Sequence, residues 1–532
     1  MFDGRFPEPL TNITPKIREK VRNEWQGPFG KGTTDTKSDE SSFQFIYANC
    51  KSFNEAMKPK YKIIIGRRGS GKTALLKRIK LYSNYDIKIE CKKQDLIAWM
   101  DRRIDPESNY LLIEPYQLEC EKYFWKLVFQ EVSNQIQAES KSIDIFLEKG
   151  KSFFEKIWFG IVSWAKQNQK STSWIQGLAS NLIVQFTENE DKKFARAKEE
   201  AKKYLEDRSV VILIDSLEEY TFETEHLQKI FSAILLAVGS FEDEGNFAVK
   251  CFFPSESYSN LTKYPGNWGK ISRYITFLRW TEEELLVMLC KRLAFYLYCN
   301  RYLNIDTLSK FDDVGYSLTF WQNYFSSTVE NTVFKVDEVS ILYILRHTQM
   351  APRQAIRLCN KISDCGHTYF PNAIIPKKII SQGVAVEEKG LCREVFGSFK
   401  DIYPNAEEFC DEYLSDLPMK LSLSELRSFH NRIFSNASPQ NRKKYDIYSE
   451  FNFFQRMLCE LGIFGKEHDD CSKHSTYCLA IFEPNEDHEL SIGQDEYIYV
   501  HPMFIRKIRF RIDMQKCPKP ICSVLLARED SV

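Results

Sequence analysis

The residues best suited by type and spacing to do chemistry are Gly66-Arg67-Arg68-Gly69-Ser70-Gly71-Lys72-Thr73, which match G-x-x-x-x-G-K-[ST]. Glycines at these places let successive backbone N–H groups curl around phosphate oxygens. The lysine ammonium then reaches the outer phosphates and the hydroxyl binds magnesium. Such a loop works only between a strand and a helix. The apolar run Tyr61 to Ile65 precedes it, and the helix-like run Ala74 to Lys80 follows. The positive end of that helix points at the same place. The segment therefore reads as a nucleotide phosphate site.

A phosphate cradle hydrolyses nothing alone, so a second strand ending in carboxylates is required. Val210-Val211-Ile212-Leu213-Ile214 is an unbroken aliphatic run of the kind found in strands buried on both faces. Asp215 follows it, placed to hold magnesium through water. Glu218 is the first choice for the base that orients and deprotonates an attacking water, with Glu219 second. An acidic helix start, favoured by the helix dipole, accounts for the glutamates but not for the strand and aspartate before them.

Positioning these groups calls for a parallel sheet. Tyr61–Ile65, Asp86–Glu90, Val210–Ile214, Phe247–Phe253 and Tyr274–Leu278 are the candidate strands, separated by helical patterns, and they predict an α/β sandwich. Between the second and third strands, about 92–208 is helical in pattern, with Phe124, Val128 and Val132 at four-residue spacing, and reads as an insertion. Its second half holds Trp158, Trp164 and Trp174, then a charged run, Glu188 to Asp207. A packed helical hairpin is preferred there to a base-stacking surface. Thr281 to Glu284 is a capping box that opens a helix. From about Leu391 the pattern changes: helices at Leu423–Phe434 and Glu450–Leu461, then strands at Ile463–Gly465, Tyr477–Phe482 and Glu496–Pro502. Helices followed by a two-stranded wing predict a winged-helix-like module.

With 532 residues the chain exceeds one core, and two or three domains are expected. Basic and acidic residues balance at 73 each, so any nucleic-acid contact must be local; the tail residues Arg506, Lys507, Arg509, Arg511, Lys516 and Lys519 are the candidates, with protein docking as the alternative. No apolar run approaches the ~20 residues of a spanning helix and no leader is visible, which predicts a cytoplasmic protein without membrane contact. The 15 scattered cysteines suit a reducing compartment. His468, Cys471, His474 and Cys478 lack a compact C-x-x-C pair and are read as a core cysteine and wing-loop residues rather than zinc ligands.

Together the two nucleotide motifs resemble those of the additional-strand class of P-loop ATPases, and more narrowly bacterial ATPases related to the STAND, KAP and AAA+ groups. Leu278-Arg279-Trp280-Thr281-Glu282-Glu283-Glu284-Leu285 and Ala351-Pro352-Arg353-Gln354-Ala355-Ile356-Arg357-Leu358-Cys359-Asn360 resemble the start and end of that group's helical lid. The resemblance covers roughly 40–370. It implies ATP and Mg2+ as ligands, Ser255 as a γ-phosphate sensor after the fourth strand, Arg353 as a second sensor, and Arg273 as an arginine offered to a neighbouring subunit. A strand-ending turn, a helix-start ion pair and a surface arginine are the respective alternatives. Many relatives carry a second acid directly after the magnesium aspartate, whereas this chain has Ser216, which implies slow hydrolysis or reliance on Glu218.

The expected organisation is a P-loop NTPase core at 61–280 after an N-terminal segment at 1–60, a helical lid at 281–390 and the winged-helix-like module at 391–532. The implied activity is a regulatory ATPase acting as a homo-oligomer or with a co-encoded protein partner, in bacterial conflict or phage defence. A nucleic-acid-binding protein or an assembly scaffold, stabilised by nucleotide with little turnover, is the competing expectation.

Overall fold

The computed structural model describes residues 25, 27–31, 46–48, 50–103, 114–140, 194, 198–199, 201–202, 205–215, 225–241, 246–258, 268–304, 310–366, 373–468, 476–482, 492–494 and 496–526. The helix α1 (Lys51–Met57) leads into strand β1 (Ile63–Gly66), followed by α2 (Lys72–Tyr82), β2 (Ile87–Cys91), α3 (Lys93–Arg103) and α4 (Glu114–Ser140). Then come β3 (Val210–Ile214), α5 (Glu225–Ser240), β4 (Phe247–Pro254) and β5 (Ile275–Phe277). The five strands are parallel in the order β2-β3-β4-β1-β5.

Side chains alternate across the sheet, as strand geometry requires. Ile64, Val211, Leu213, Ala248 and Phe252 enter one core, and Ile63, Ile65, Val210, Ile212, Ile214, Val249 and Phe253 enter the other. Helices cover both faces, which is why β3 can be aliphatic throughout. Strand β4 lies between β1 and β3. This is the P-loop NTPase arrangement with an added central strand.

Helix α4, inside the stretch expected as an insertion, buries Phe124, Trp125, Val128 and Val132 in the second core together with α5 residues. It is thus a layer of the sheet's own sandwich. The tryptophans Trp158, Trp164 and Trp174 and most of the charged run lie outside the described residues.

After β5, α6 (Glu282–Cys299) opens on the expected capping box, in which Thr281 accepts from the Glu284 amide and Glu284 from the Thr281 amide. It is followed by α7 (Val314–Gln322), an unforeseen hairpin β6 (Thr328–Asn331) and β7 (Val336–Val339), α8 (Ser340–Leu345), α9 (Pro352–Cys365) and α10 (Lys377–Ser398). The C-terminal unit contains α11 (Ala406–Tyr413), β8 (Lys420–Ser422), α12 (Leu423–Asn436), α13 (Pro439–Lys444), α14 (Phe451–Glu460), β9 (Phe464–Glu467), β10 (Cys478–Ile481), β11 (Tyr497–Val500), α15 (Pro502–Ile508) and β12 (Ile521–Ser523). Its strands form one five-stranded sheet, β12-β10-β9-β11-β8, larger than the two-stranded wing expected. Residues of this unit join those of α6 to α10 and one face of the parallel sheet in a single continuous core.

Among the described residues the free cysteines other than Cys365 are buried. Cys478, in contrast to the reduced state expected, is disulfide-bonded. Among the described residues no helix is long and apolar enough to cross a membrane.

Candidate phosphate site and its surroundings

Strand β1 ends at Gly66, and the loop turns through Gly69 (φ +82°) and Gly71 (φ +101°), both in the left-handed region that only glycine enters without strain. Gly71 is the N-cap of α2 and has no side chain to satisfy the first-turn N–H groups, which suits an anion. Space demands the glycines as well. A Cβ at Gly66 would meet Ser70 Oγ at 2.4 Å, and one at Gly69 would meet Arg353 Cβ at 2.9 Å.

The loop is braced from behind. Trp280 Nε1 donates to the Ser70 carbonyl at 2.8 Å, and the Phe53 ring packs edge-on against Trp280 with centroids 5.2 Å apart. Lys72 is buried, not solvent-facing as a loop lysine would be: it is 3% exposed, and its Nζ donates to the carbonyls of Gly66 (2.8 Å) and Arg67 (3.1 Å). Thr73, one residue on, is half-buried in the first turn of α2.

Asp215 immediately follows β3, where the sequence placed it. Its charge, after burial itself, helps push the neighbouring Cys251 thiol up to about 12. Glu218, Glu219 and Ser216 lie outside the described residues.

Ser255 begins a single 3-10 turn at the end of β4, whose last residue Pro254 is in register with Gly66. Its hydroxyl donates to Glu256 Oε2 at 3.4 Å. Glu256 Oε1 in turn accepts from the Arg68 amide of the loop at 2.8 Å. The Arg353 amide lies 3.4 Å from the Gly69 carbonyl, so the start of α9 sits on the loop. The Arg353 guanidinium pairs with Glu394 of α10 at 3.4 Å. The helix-start ion pair and the contact with the phosphate loop therefore coexist.

Arg67 reaches the other way and donates to the Glu460 carbonyl at the end of α14 at 3.3 Å. Beside it Gln349 donates to the Leu461 carbonyl at 2.7 Å. A cavity of about 80 Å³ lies between the loop and the C-terminal unit, lined among others by Arg67, Ser70, Ser255, Trp280, Gln349 and His501.

Arg273 is at the far end of the sheet. It is exposed in a turn before β5, stacked over Tyr274 with its guanidinium 4.6 Å from the ring centroid. Since Ile275 is in register with Ile63, the arginine sits at the N-terminal edge of the strands while the loop leaves the C-terminal edge.

Sequence reasoning missed Trp280, Glu256, Gln349 and Glu394. Trp280 and Glu256 stand inside segments already singled out, but nothing local marks which atom of the loop each one reaches.

The residues fit a nucleotide with Mg2+. The cradle is one that a Cβ would fill, and Ser70 Oγ is buried with no hydrogen-bond partner among the described residues. Thr73 and Asp215 are the oxygen ligands expected for the metal, which would neutralise charge on the phosphates.

The tail is less basic in space than in sequence. Lys507 pairs with Glu407 (3.1 Å) and with Asp411, Lys516 with Glu425 (2.6 Å), and Arg506 with Glu388 (3.3 Å). Among the described residues no cluster of three or more metal-ligating side chains is found.

No protein-family model matches the chain, and no curated protein does. Solved structures similar to it include the Aeropyrum pernix ORC2 protein in its ADPNP-ADP complexes, at 9% identity and a TM-score of 0.32 over 83% of this chain and 84% of that one. The ADP form of the same protein gives 9% identity and 0.28 over 96% and 95%. The Drosophila ORC bound to DNA gives 9% and 0.26 over 94% and 93%. These values are too low to carry an argument, and the fold assignment rests on strand order and the geometry of the loop.

Proposed function

We propose that the chain is a Mg2+-dependent ATPase used as a regulatory switch. The observation that carries this reading is the glycine-shaped loop between β1 and α2, with Lys72 at the helix start and Asp215 two strands away across β4. Lys72 leaves the Gly66 and Arg67 carbonyls for the outer phosphates, and Thr73 and Asp215 hold the metal. Glu218, with Glu219 in reserve, accepts the proton of the attacking water. Ser255 and Arg353 report the γ-phosphate to β4 and to a lid formed by α6 to α10, and Arg273 serves a neighbouring copy.

The C-terminal unit is read as a winged-helix-like module that passes the state of the loop to a protein partner. The ion pairs that engage Arg506, Lys507 and Lys516 of its tail favour a protein over nucleic acid there. Defence against phage is the setting that the sequence resemblance implies. The test of the activity is nucleotide titration and phosphate release with and without Mg2+, in the wild type and in Lys72→Ala. Wild-type affinity in Lys72→Ala would remove the phosphate assignment. Tight DNA binding without turnover would replace the switch with the nucleic-acid reading.

A further inference from the structure

Glu256 is the residue at this site whose chemistry is unexplained. It is 7% exposed, and a carboxylate taken that far from water normally keeps a cationic partner. Among the described residues no cation lies within ion-pair distance of it. Its partners are the Arg68 amide, 2.8 Å from Oε1, and the Ser255 hydroxyl, 3.4 Å from Oε2. One oxygen is thus committed to the phosphate loop and the other to the side chain expected to sense phosphate.

The surroundings give this bond leverage. Gly66 and Pro254 are in register at the ends of neighbouring strands, so Glu256 rises from the sheet beside the first turn of the loop. The loop's other anchors hold other atoms: Trp280 the Ser70 carbonyl, the Arg353 amide the Gly69 carbonyl, and the Glu460 carbonyl the Arg67 guanidinium. The Ser70 amide donates to the Arg67 carbonyl at 3.0 Å, and Lys72 shares that same carbonyl. When Lys72 moves to the outer phosphates, the bond from the Arg68 amide to Glu256 still ties this turn to the 3-10 turn at the end of β4.

We propose that Glu256 is a positioning residue for the phosphate site: its carboxylate fixes the Arg67–Arg68 turn through the Arg68 amide and orients the Ser255 hydroxyl. This inference rests on the nucleotide reading above and adds to it what holds the loop open to phosphate. The role requires an acceptor oxygen at the right reach, not a negative charge. Gln at this position keeps an acceptor for the Arg68 amide at the same distance. Asp keeps the charge but retracts it by one methylene, roughly 1.5 Å, enough to break a 2.8 Å bond.

The experiment compares Glu256→Gln, Glu256→Asp and Glu256→Ala in the full chain by nucleotide affinity, by KM and kcat, and by hydrogen exchange of the loop amides, with Lys72→Ala as the reference. Glu256→Gln should stay within about threefold of wild type in affinity. Glu256→Asp and Glu256→Ala should weaken binding about tenfold or more, raise KM more than they lower kcat, and speed exchange in the loop. If Glu256→Ala fails to fold, the contrast between Gln and Asp decides alone. Asp tolerated with Gln impaired makes charge the determinant and overturns the proposal, as do equal effects of the two, whether null or severe. Loss of binding in Lys72→Ala with these variants unaffected sinks the proposal alone. An unaffected Lys72→Ala sinks the nucleotide reading itself.

Discussion

Arg67 of the phosphate loop caps the C-terminal helix α14 by donating from Nη2 to the carbonyl of Glu460 at 3.3 Å. The last carbonyls of a helix have no partners within it and carry the negative end of its dipole. A guanidinium supplies both missing needs, and Gln349 serves the next carbonyl, that of Leu461. The chain leaves this helix through Gly462 at φ +69°, where a Cβ would lie 2.6 Å from Gln349 Nε2 and 3.1 Å from Arg67 Nη1.

Arg67→Ala should therefore cost about 1 kcal/mol of stability, the usual worth of a cation at a helix end. Gly462→Ala should cost more, about 2 kcal/mol, because it adds left-handed strain to the clash. Thermal unfolding gives both values. A Gly462→Ala variant as stable as wild type would mean that α14 does not dock on the loop in this way.

Burial of Lys72 changes what its removal does. Lys72→Ala should abolish the contact with outer phosphates, and it also removes the ammonium from two carbonyls, those of Gly66 and of Arg67, the second of which keeps the Ser70 amide. Nucleotide affinity should fall at least tenfold, and the unfolding free energy without nucleotide should fall by about 1 kcal/mol. Titration and denaturant unfolding separate the two effects. Unchanged stability with lost binding would show that the inward-turned lysine adds nothing to the fold.

Much of this was legible in the sequence, for a physical reason. The loop is contiguous and its glycines are fixed by local backbone geometry, and the aliphatic run Val210–Ile214 matches strand β3 residue for residue. The other four parallel strands were placed within two residues of their ends. What failed to show is long-range. Arg67 meets Glu460 across 393 positions and Trp280 meets Ser70 across 210, and no periodicity encodes such pairs. Strands β8 and β12, three residues each, are too short to show alternation, so the C-terminal sheet was read too small. Lys250, a buried lysine within β4, is explained only in three dimensions. Its ammonium is caged by the carbonyls of Ala56 (2.8 Å), Lys58 (2.6 Å) and Tyr61 (2.5 Å).

Trp280→Phe tests the brace behind the loop. It keeps the aromatic packing on Phe53 but leaves the Ser70 carbonyl without its indole donor. A loss of about 1 kcal/mol and a several-fold weaker nucleotide affinity are expected. Full retention of affinity would show that the peptide at Ser70 holds its orientation unaided.

Acid should weaken the seam between α8 and the C-terminal unit. Burial, and then the charges of His347 and Arg67, push His501 down to about 3; burial and Arg346 push His347 down as well, against the pull of Glu388. Both histidines are thus harder to protonate folded than unfolded. The unfolded chain takes up protons first as pH falls below the usual 6.5, so their contribution is fully present above that value and is lost as pH falls toward 3. For His501 the loss by pH 5 is about 2 kcal/mol. Its Nδ1 accepts from the Met503 amide at 3.2 Å as an N-cap. His501→Asn keeps a capping acceptor without the titration and should flatten stability between pH 7 and pH 5 by that amount. An identical slope in wild type and variant would assign the acid sensitivity elsewhere.

Arg273 cannot serve the phosphates of its own chain. β5 and β1 run parallel, with Ile275 beside Ile63, so Arg273 stands five residues short of the level of Gly66, about 16 Å at the usual rise of a strand. If it contributes to hydrolysis, it does so in another copy, where a guanidinium beside the γ-phosphate neutralises charge developing in the transition state. Specific activity should then rise with protein concentration, and Arg273→Ala should lower turnover by ~10³-fold while leaving nucleotide affinity nearly unchanged. Glu218→Gln, which removes the expected base, should also be inactive on its own. Mixing the two inactive variants places the arginine of one beside the base of the other and should restore part of the activity. Specific activity that stays flat on dilution, with no rescue in the mixture, would leave a monomeric or partner-activated ATPase and return Arg273 to the role it has in the isolated chain, a stacking partner for Tyr274.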